Sequence, residues 1–108
     1  MTDHVLAFST VSTQADGERI AQALIERRLA ACVSVAAPLL SVYRWQDRIE
    51  RAEERLLLIK TRLDRFEELR QALVEMHPYQ VPELIAVPIV AGHAPYLGWL
   101  DASLTTAG

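Results

Sequence analysis

Within seven residues, His77-Pro78-Tyr79-Gln80-Val81-Pro82-Glu83, two prolines hold an imidazole, a phenol, an amide and a carboxylate. Imidazole and carboxylate suit borderline divalent ions such as copper(II) and zinc, so His77 and Glu83 are the leading candidate metal ligands, with Tyr79 a weaker third. Two ligands from one chain make a labile site, which a neighbouring subunit or water would have to complete. The structural alternative is that His77 closes the preceding helix and Glu83 pairs with Lys60 or a nearby arginine. Pro78 steers His77 out of helical geometry and has no amide hydrogen, and Pro82 does the same to Val81. The polar side chains of the segment are therefore held at fixed angles.

Other residues carry chemistry more weakly. Lys60 ends the apolar run Leu56–Ile59, so its stem is half buried and its ammonium needs a carboxylate or an anion. Paired with Glu83 it is structural; facing a cleft between subunits with Trp45 and Gln80 it could hold an anionic ligand. Tyr43 and Trp45 flank Arg44 near the end of a β-like run, and with Leu40 they read as interface anchors. Cys32 lies in an alternating segment with Ala31, Val33 and Val35, where it reads as packing, with a metal or redox thiol as the alternative. Tyr96 and Trp99 read as a lid over the sheet. Asp47, Glu50, Glu53 and Glu54 alternate with Arg48, Arg51 and Arg55, the pattern of a solvated, ion-paired strand. His4 and His93 have no evident partner and receive no role.

The 108 residues, 51% apolar and 23% charged, suit one globular domain over 1–108. With no long apolar run and no basic-then-apolar leader, the expectation is a soluble cytoplasmic protein without a membrane partner. Eleven basic against fourteen acidic residues leave a net charge of −3, a poor field for nucleic acid. A single cysteine excludes an intrachain disulfide, an iron–sulfur ferredoxin and a copper chaperone with a close cysteine pair. The chain has no asparagine, against acylphosphatase chemistry, and Arg55–Lys60 offers no aromatic platform for RNA bases. No nucleophile, base and orienting group stand together, so the expectation is a non-enzyme.

The elements that must position these residues follow from periodicity. His4–Thr10 reads as a strand and Thr13–Asp16 as a cap for an amphipathic helix over Asp16–Leu29. Ala31–Tyr43 and a run centred on Leu56–Thr61 form a long hairpin about Gln46-Asp47-Arg48. Asp64–His77 is a second helix, Leu84–Val90 a fourth strand, and Pro95 opens a tail helix. The order β-α-β-β-α-β predicts an α+β, ferredoxin-like sandwich with two helices on one face, a long central hairpin and a C-terminal helix. About thirteen residues of hairpin strand would extend ~43 Å at ~3.3 Å each, against about seven residues in the outer strands. The tip must overhang, and its open edges and apolar surface call for a homo-oligomer closed by strand pairing. Pro38 then marks a bulge where the strand leaves its own sheet.

Leu29-Ala30-Ala31-Cys32-Val33, Tyr43-Arg44-Trp45, Leu58-Ile59-Lys60-Thr61, His77–Glu83 and Tyr96-Leu97-Gly98-Trp99-Leu100, in this order and spacing, resemble the CutA family of divalent-cation tolerance proteins from about Phe8 to Leu104. The resemblance implies a ferredoxin-like protomer, a tight homotrimer built by strand exchange, and an association with copper or other divalent cations. The family is also similar in architecture to PII signalling proteins, which points instead to a small anionic metabolite or a protein partner at intersubunit clefts. Some copper-binding relatives place a thiol where this chain has Ser9, and a hydroxyl is a poor ligand for soft Cu(I).

Overall fold

In the computed structural model, which describes residues 3–105, β1 spans His4–Val11 and α1 spans Gln14–Glu26. Thr13 caps α1, its Oγ1 accepting the Asp16 amide at 3.1 Å. The predicted helix ran on to Leu29, but Arg28 turns left-handed at φ 55° and the amides of Leu29 and Ala30 return to the Leu24 carbonyl. The chain leaves the helix a turn early so that Leu29 enters the core.

Strands β2, Cys32–Trp45, and β3, Arg48–Arg62, are joined by only two residues, Gln46 and Asp47. Both have positive φ, 50° and 63°, the mirror-image turn whose twist matches a β-hairpin. The three-residue connector expected from composition is therefore one residue too long, because Arg48 already pairs with Trp45. A 3₁₀ turn at Leu63–Arg65 precedes α2, Phe66–Met76. The predicted fourth strand shrinks to β4, Ile85–Pro88, and α3 covers Ala94–Leu104.

The four strands form one antiparallel sheet in the order β2-β3-β1-β4, the ferredoxin-like arrangement. Ala7 and Val11 of β1, Leu57 and Ile59 of β3, and Val33 and Val35 of β2 face Ile20 and Leu24 of α1 and Leu69 and Leu73 of α2. Gly17 lets α1 seat on this face: a Cβ there would meet Val35, Val11 and Leu57 at 3.1, 3.3 and 3.4 Å. The opposite, open face carries Leu6, Phe8, Leu56 and Leu58, extended by Ile85 and Val87 of β4. At one end α3 covers it by burying Leu100 and Leu104 against Ala31. Tyr96 and Trp99, expected as the lid, stay 39% and 48% exposed. The helix turns its leucines inward instead.

Only Arg55–Arg62 of β3 pairs with β1; Arg48–Glu54 pairs with β2 alone. That overhang stretches the protomer to 47 × 27 × 23 Å and leaves Leu40 57%, Val42 54% and Ile49 69% exposed. At its root Val35 pairs with Leu57 and Pro38 with Arg55, so Ala36 and Ala37 oppose Leu56 alone. This bulge sits where Pro38 predicted one.

Candidate functional site

The His77–Glu83 segment leaves the end of α2 and runs beside the end of β1. The His77 amide bonds to the Leu73 carbonyl at 2.8 Å and closes the helix. The ring is only 7% exposed. Its Nε2 lies 2.8 Å from the Thr10 carbonyl oxygen and its Nδ1 lies 3.1 Å from the Tyr79 amide nitrogen. A carbonyl can only accept and an amide can only donate, so Nε2 carries the hydrogen and Nδ1 accepts. Both nitrogens are committed to backbone. The imidazole ties the segment to β1 and does not project toward solvent.

Tyr79 packs edge-on against that ring, centroids 4.5 Å apart, and sends its hydroxyl under the hairpin. The hydroxyl donates to Glu54 Oε2 at 2.7 Å and lies 2.7 Å from Ser12 Oγ. Burial, then the hydrogen bond to Glu54, push the phenol up to about 12, with Ser12 opposing. Ser9 Oγ donates to the Glu83 carbonyl at 2.7 Å and fastens the far end of the segment to β1. The Ser9 hydroxyl is thus a structural donor.

These contacts enclose one side of a cavity of about 690 Å³ whose opposite wall is the overhanging hairpin. Glu54, Tyr79, Gln80 and Glu83 meet Tyr43 and Trp45 there, with the hydroxyls of Thr10, Ser12 and Ser41. None of the lining residues is Lys, Arg or His. Glu54, expected in a solvated strand, is 7% exposed. Counting back in twos from Lys60 through Leu58 and Leu56 lands on Glu54, and that alternation was the signal for it. Ser12 and Thr10 carried no signal of their own.

The candidate ligands do not converge into a resident metal centre. Among the described residues no three His, Cys, Asp or Glu side chains gather to hold a metal ion, His77 is engaged at both nitrogens, and the phenol of Tyr79 is held protonated. Glu83 is exposed and makes no ion pair among the described residues, so neither Lys60 nor an arginine takes it. Lys60 lies at the other end of the open face, paired across the sheet with Cys32 and Leu6. Its Nζ is 4.0 Å from Cys32 Sγ and 6.0 Å from the Tyr96 ring centroid, with no carboxylate partner among the described residues. Twelve residues of β3 separate Lys60 from Arg48, the partner of Trp45, or ~40 Å at ~3.3 Å each. Within one protomer Lys60 therefore does not join Trp45 and Gln80. Of the anchors, Leu40 and Arg44 point to the face opposite the cavity, while Tyr43 and Trp45 line it. His4, unassigned from sequence, meets Asp101 of α3 at 2.9 Å, and Arg62 reaches the same carboxylate at 3.4 Å.

The family model described as CutA1 divalent ion tolerance protein matches residues 5–103. The divalent-cation tolerance protein CutA of Thermus thermophilus is 45% identical over 91 residues, 84% of this chain and 88% of that protein. The crystal structure of CutA from Xylella fastidiosa matches with a TM-score of 0.92 at 39% identity, over 95% of this chain and 99% of that one. The Archaeoglobus fulgidus protein, described as a periplasmic divalent cation tolerance protein CutA, matches with a TM-score of 0.91 at 36% identity, over 94% of this chain and 99% of that one. The chain spans 52% to 62% of the length of several plant and animal relatives. No helix among the described residues is long and apolar enough to cross a membrane.

Proposed function

This chain belongs to the CutA1 divalent ion tolerance family, and from that premise we propose that it is a non-enzymatic, cytoplasmic homotrimer that binds divalent cations, copper among them, as exchanging cargo. The observation that carries this reading is the exposed Glu83 carboxylate on a cavity whose lining includes no basic residue. Glu83 makes the direct contact. His77 and Tyr79 stand behind it, holding the segment in place through the Thr10 carbonyl and Glu54. One carboxylate and water bind a divalent ion weakly and release it readily, which suits tolerance rather than catalysis. Assembly into a trimer is supported by the overhang, whose exposed Leu40, Val42 and Ile49 need cover. The PII-like alternative, an anionic metabolite held by Lys60, Trp45 and Gln80, is not favoured by a cavity that has carboxylates and no cation.

Isothermal titration with copper(II) tests the metal contact. Wild type binds, Glu83→Gln weakens binding about tenfold or more, and His77→Ala lowers stability more than stoichiometry. Equal copper affinity in wild type and Glu83→Gln would remove the assignment. Light scattering tests the assembly, the expected particle being three copies of the 12.1 kDa chain.

A further inference from the structure

We propose that the cavity between the hairpin overhang and the 77–83 segment recognises an organic cation, an ammonium or guanidinium group on a small body, with Glu54 as its counter-charge. The site is the one discussed above, but the inference rests on Glu54 and the aromatic wall and is independent of the metal reading.

Glu54 is the starting point. Its side chain is more than nine-tenths buried, and its Oε2 accepts from Tyr79. Among the described residues no hydrogen bond reaches Oε1, which keeps access to the cavity. Among the described residues the ion pairs all lie elsewhere, at His4, Arg19, Arg62 and Arg70. Arg55 is adjacent in sequence, but strand alternation sends it to the opposite face. The second oxygen faces the cavity with no cation beside it, in a setting shielded from bulk water by Tyr79 and the hairpin. A cation entering the cavity gains a charge partner there.

The rest of the lining selects the kind of cation. Tyr43 and Trp45 supply two electron-rich rings, which attract ammonium and guanidinium groups. Gln80 and the hydroxyls of Thr10, Ser12 and Ser41 can accept its remaining N–H hydrogens. An anion would find no positive charge in this lining. Small-molecule sites run from about 300 to 1,000 Å³, so the cavity accommodates a charged group together with its carbon body. That group could belong to a free molecule or to an arginine of a second copy, since Arg44, Arg48 and Arg51 are exposed on the overhang. The chemistry is the same in both cases.

The full chain carrying Trp99→Phe leaves Trp45 as its one tryptophan. Its fluorescence and indole resonance are followed during titration with butylguanidinium and butylammonium, with butanol, butyrate and copper(II) in parallel. The expected result is saturable binding of the two organic cations but not of butanol or butyrate, weakened about tenfold or more by Glu54→Gln. Trp45→Leu, followed by calorimetry, gives a second loss if Glu54→Gln does not fold. If a sister arginine already fills the cavity, free cations fail to bind, and Glu54→Gln and one of Arg44→Ala, Arg48→Ala or Arg51→Ala each shift sedimentation toward smaller species. That outcome supports the same cation chemistry and identifies its source. Butanol binding as well as the cations, or Glu54→Gln changing neither binding nor assembly, overturns the inference. Copper binding that persists while the organic cations fail and Glu54→Gln leaves assembly unchanged overturns this inference alone; organic-cation binding without copper binding overturns only the metal reading.

Discussion

Replacing Tyr79 by Phe removes one oxygen atom and tests whether the buried carboxylate beneath the hairpin matters. The lost hydroxyl bonds Ser12, which is exposed and can turn to water, and Glu54, which cannot do so freely at 7% exposure. Hydrogen bonds to charged groups contribute about 1.5–3 kcal/mol. Because Glu54 Oε1 still opens to the cavity, the lower end applies, about 1.5 kcal/mol, or roughly 6–12 °C in Tm for a domain of this size. The assay is urea unfolding at a fixed protomer concentration, since assembly adds to apparent stability. In a Glu54→Gln background the same change removes only a neutral bond, expected at about 0.5–1 kcal/mol. The difference between the two backgrounds is the coupling. The ionisation of Tyr79 gives an independent reading. With the phenol pushed up to about 12, its contribution to stability is complete below the unfolded value of about 10 and is lost as pH climbs from there toward 12. Glu54→Gln should bring the tyrosinate absorbance change to lower pH. A Tyr79→Phe protein within about 0.5 kcal/mol of wild type, with an unchanged tyrosine titration in Glu54→Gln, would refute the reasoning.

Gly17→Ala should destabilise by about 1 kcal/mol despite the better helix propensity, because the new methyl is hemmed in by Val35, Val11 and Leu57 at 3.1–3.4 Å; a gain in urea midpoint would mean that the sheet yields. At Asp101, burial pushes the carboxyl up, but hydrogen bonds from His4 and Arg62 outweigh it and hold the group below the usual range. Its contribution is therefore present above about pH 4 and lost as pH falls through the lower folded value, and Asp101→Asn should flatten the acid limb of the stability curve; an unaltered limb would count against the network. Converting Gln46-Asp47 to Asn-Gly should raise Tm by relieving two left-handed residues, for about 1 kcal/mol in all. No rise would show that the turn is unstrained.

Topology was legible because each element announced itself locally: alternation in His4–Thr10, the apolar rows of α1 and α2, and the prolines that stop and start chain segments. The overhang followed from strand length alone, and Pro38 marked the bulge. What was not legible depended on direction. His77 looked like a ligand because its type permits it, yet which atoms meet its two nitrogens is decided by the Thr10 carbonyl, 67 residues away. Glu54 looked solvated among alternating charges, although it sits one step before the strand becomes central, where Tyr79 covers it. Lys60, Trp45 and Gln80 were grouped across a cleft between subunits by function rather than by register, and within one protomer the register sets Lys60 and Trp45 far apart. Tyr96 and Trp99 lie on the same helix as Leu100 and Leu104, and only packing decides which pair turns inward.

The two alanines at the root of the hairpin act as a parity change. Before them the even-numbered residues of β2, Cys32 and Ser34, stand opposite Lys60 and Leu58; after them the odd-numbered ones, Ser41, Tyr43 and Trp45, stand opposite Ala52, Glu50 and Arg48. Shortening the chain by one residue at this point would exchange the two sets wholesale. Leu40 and Arg44 would rotate in above Glu54, and both rings would swing to the far side. The identity of the pocket wall is thus encoded by a count of residues as much as by their kind, and an insertion or deletion there would rewrite it without altering a single lining side chain.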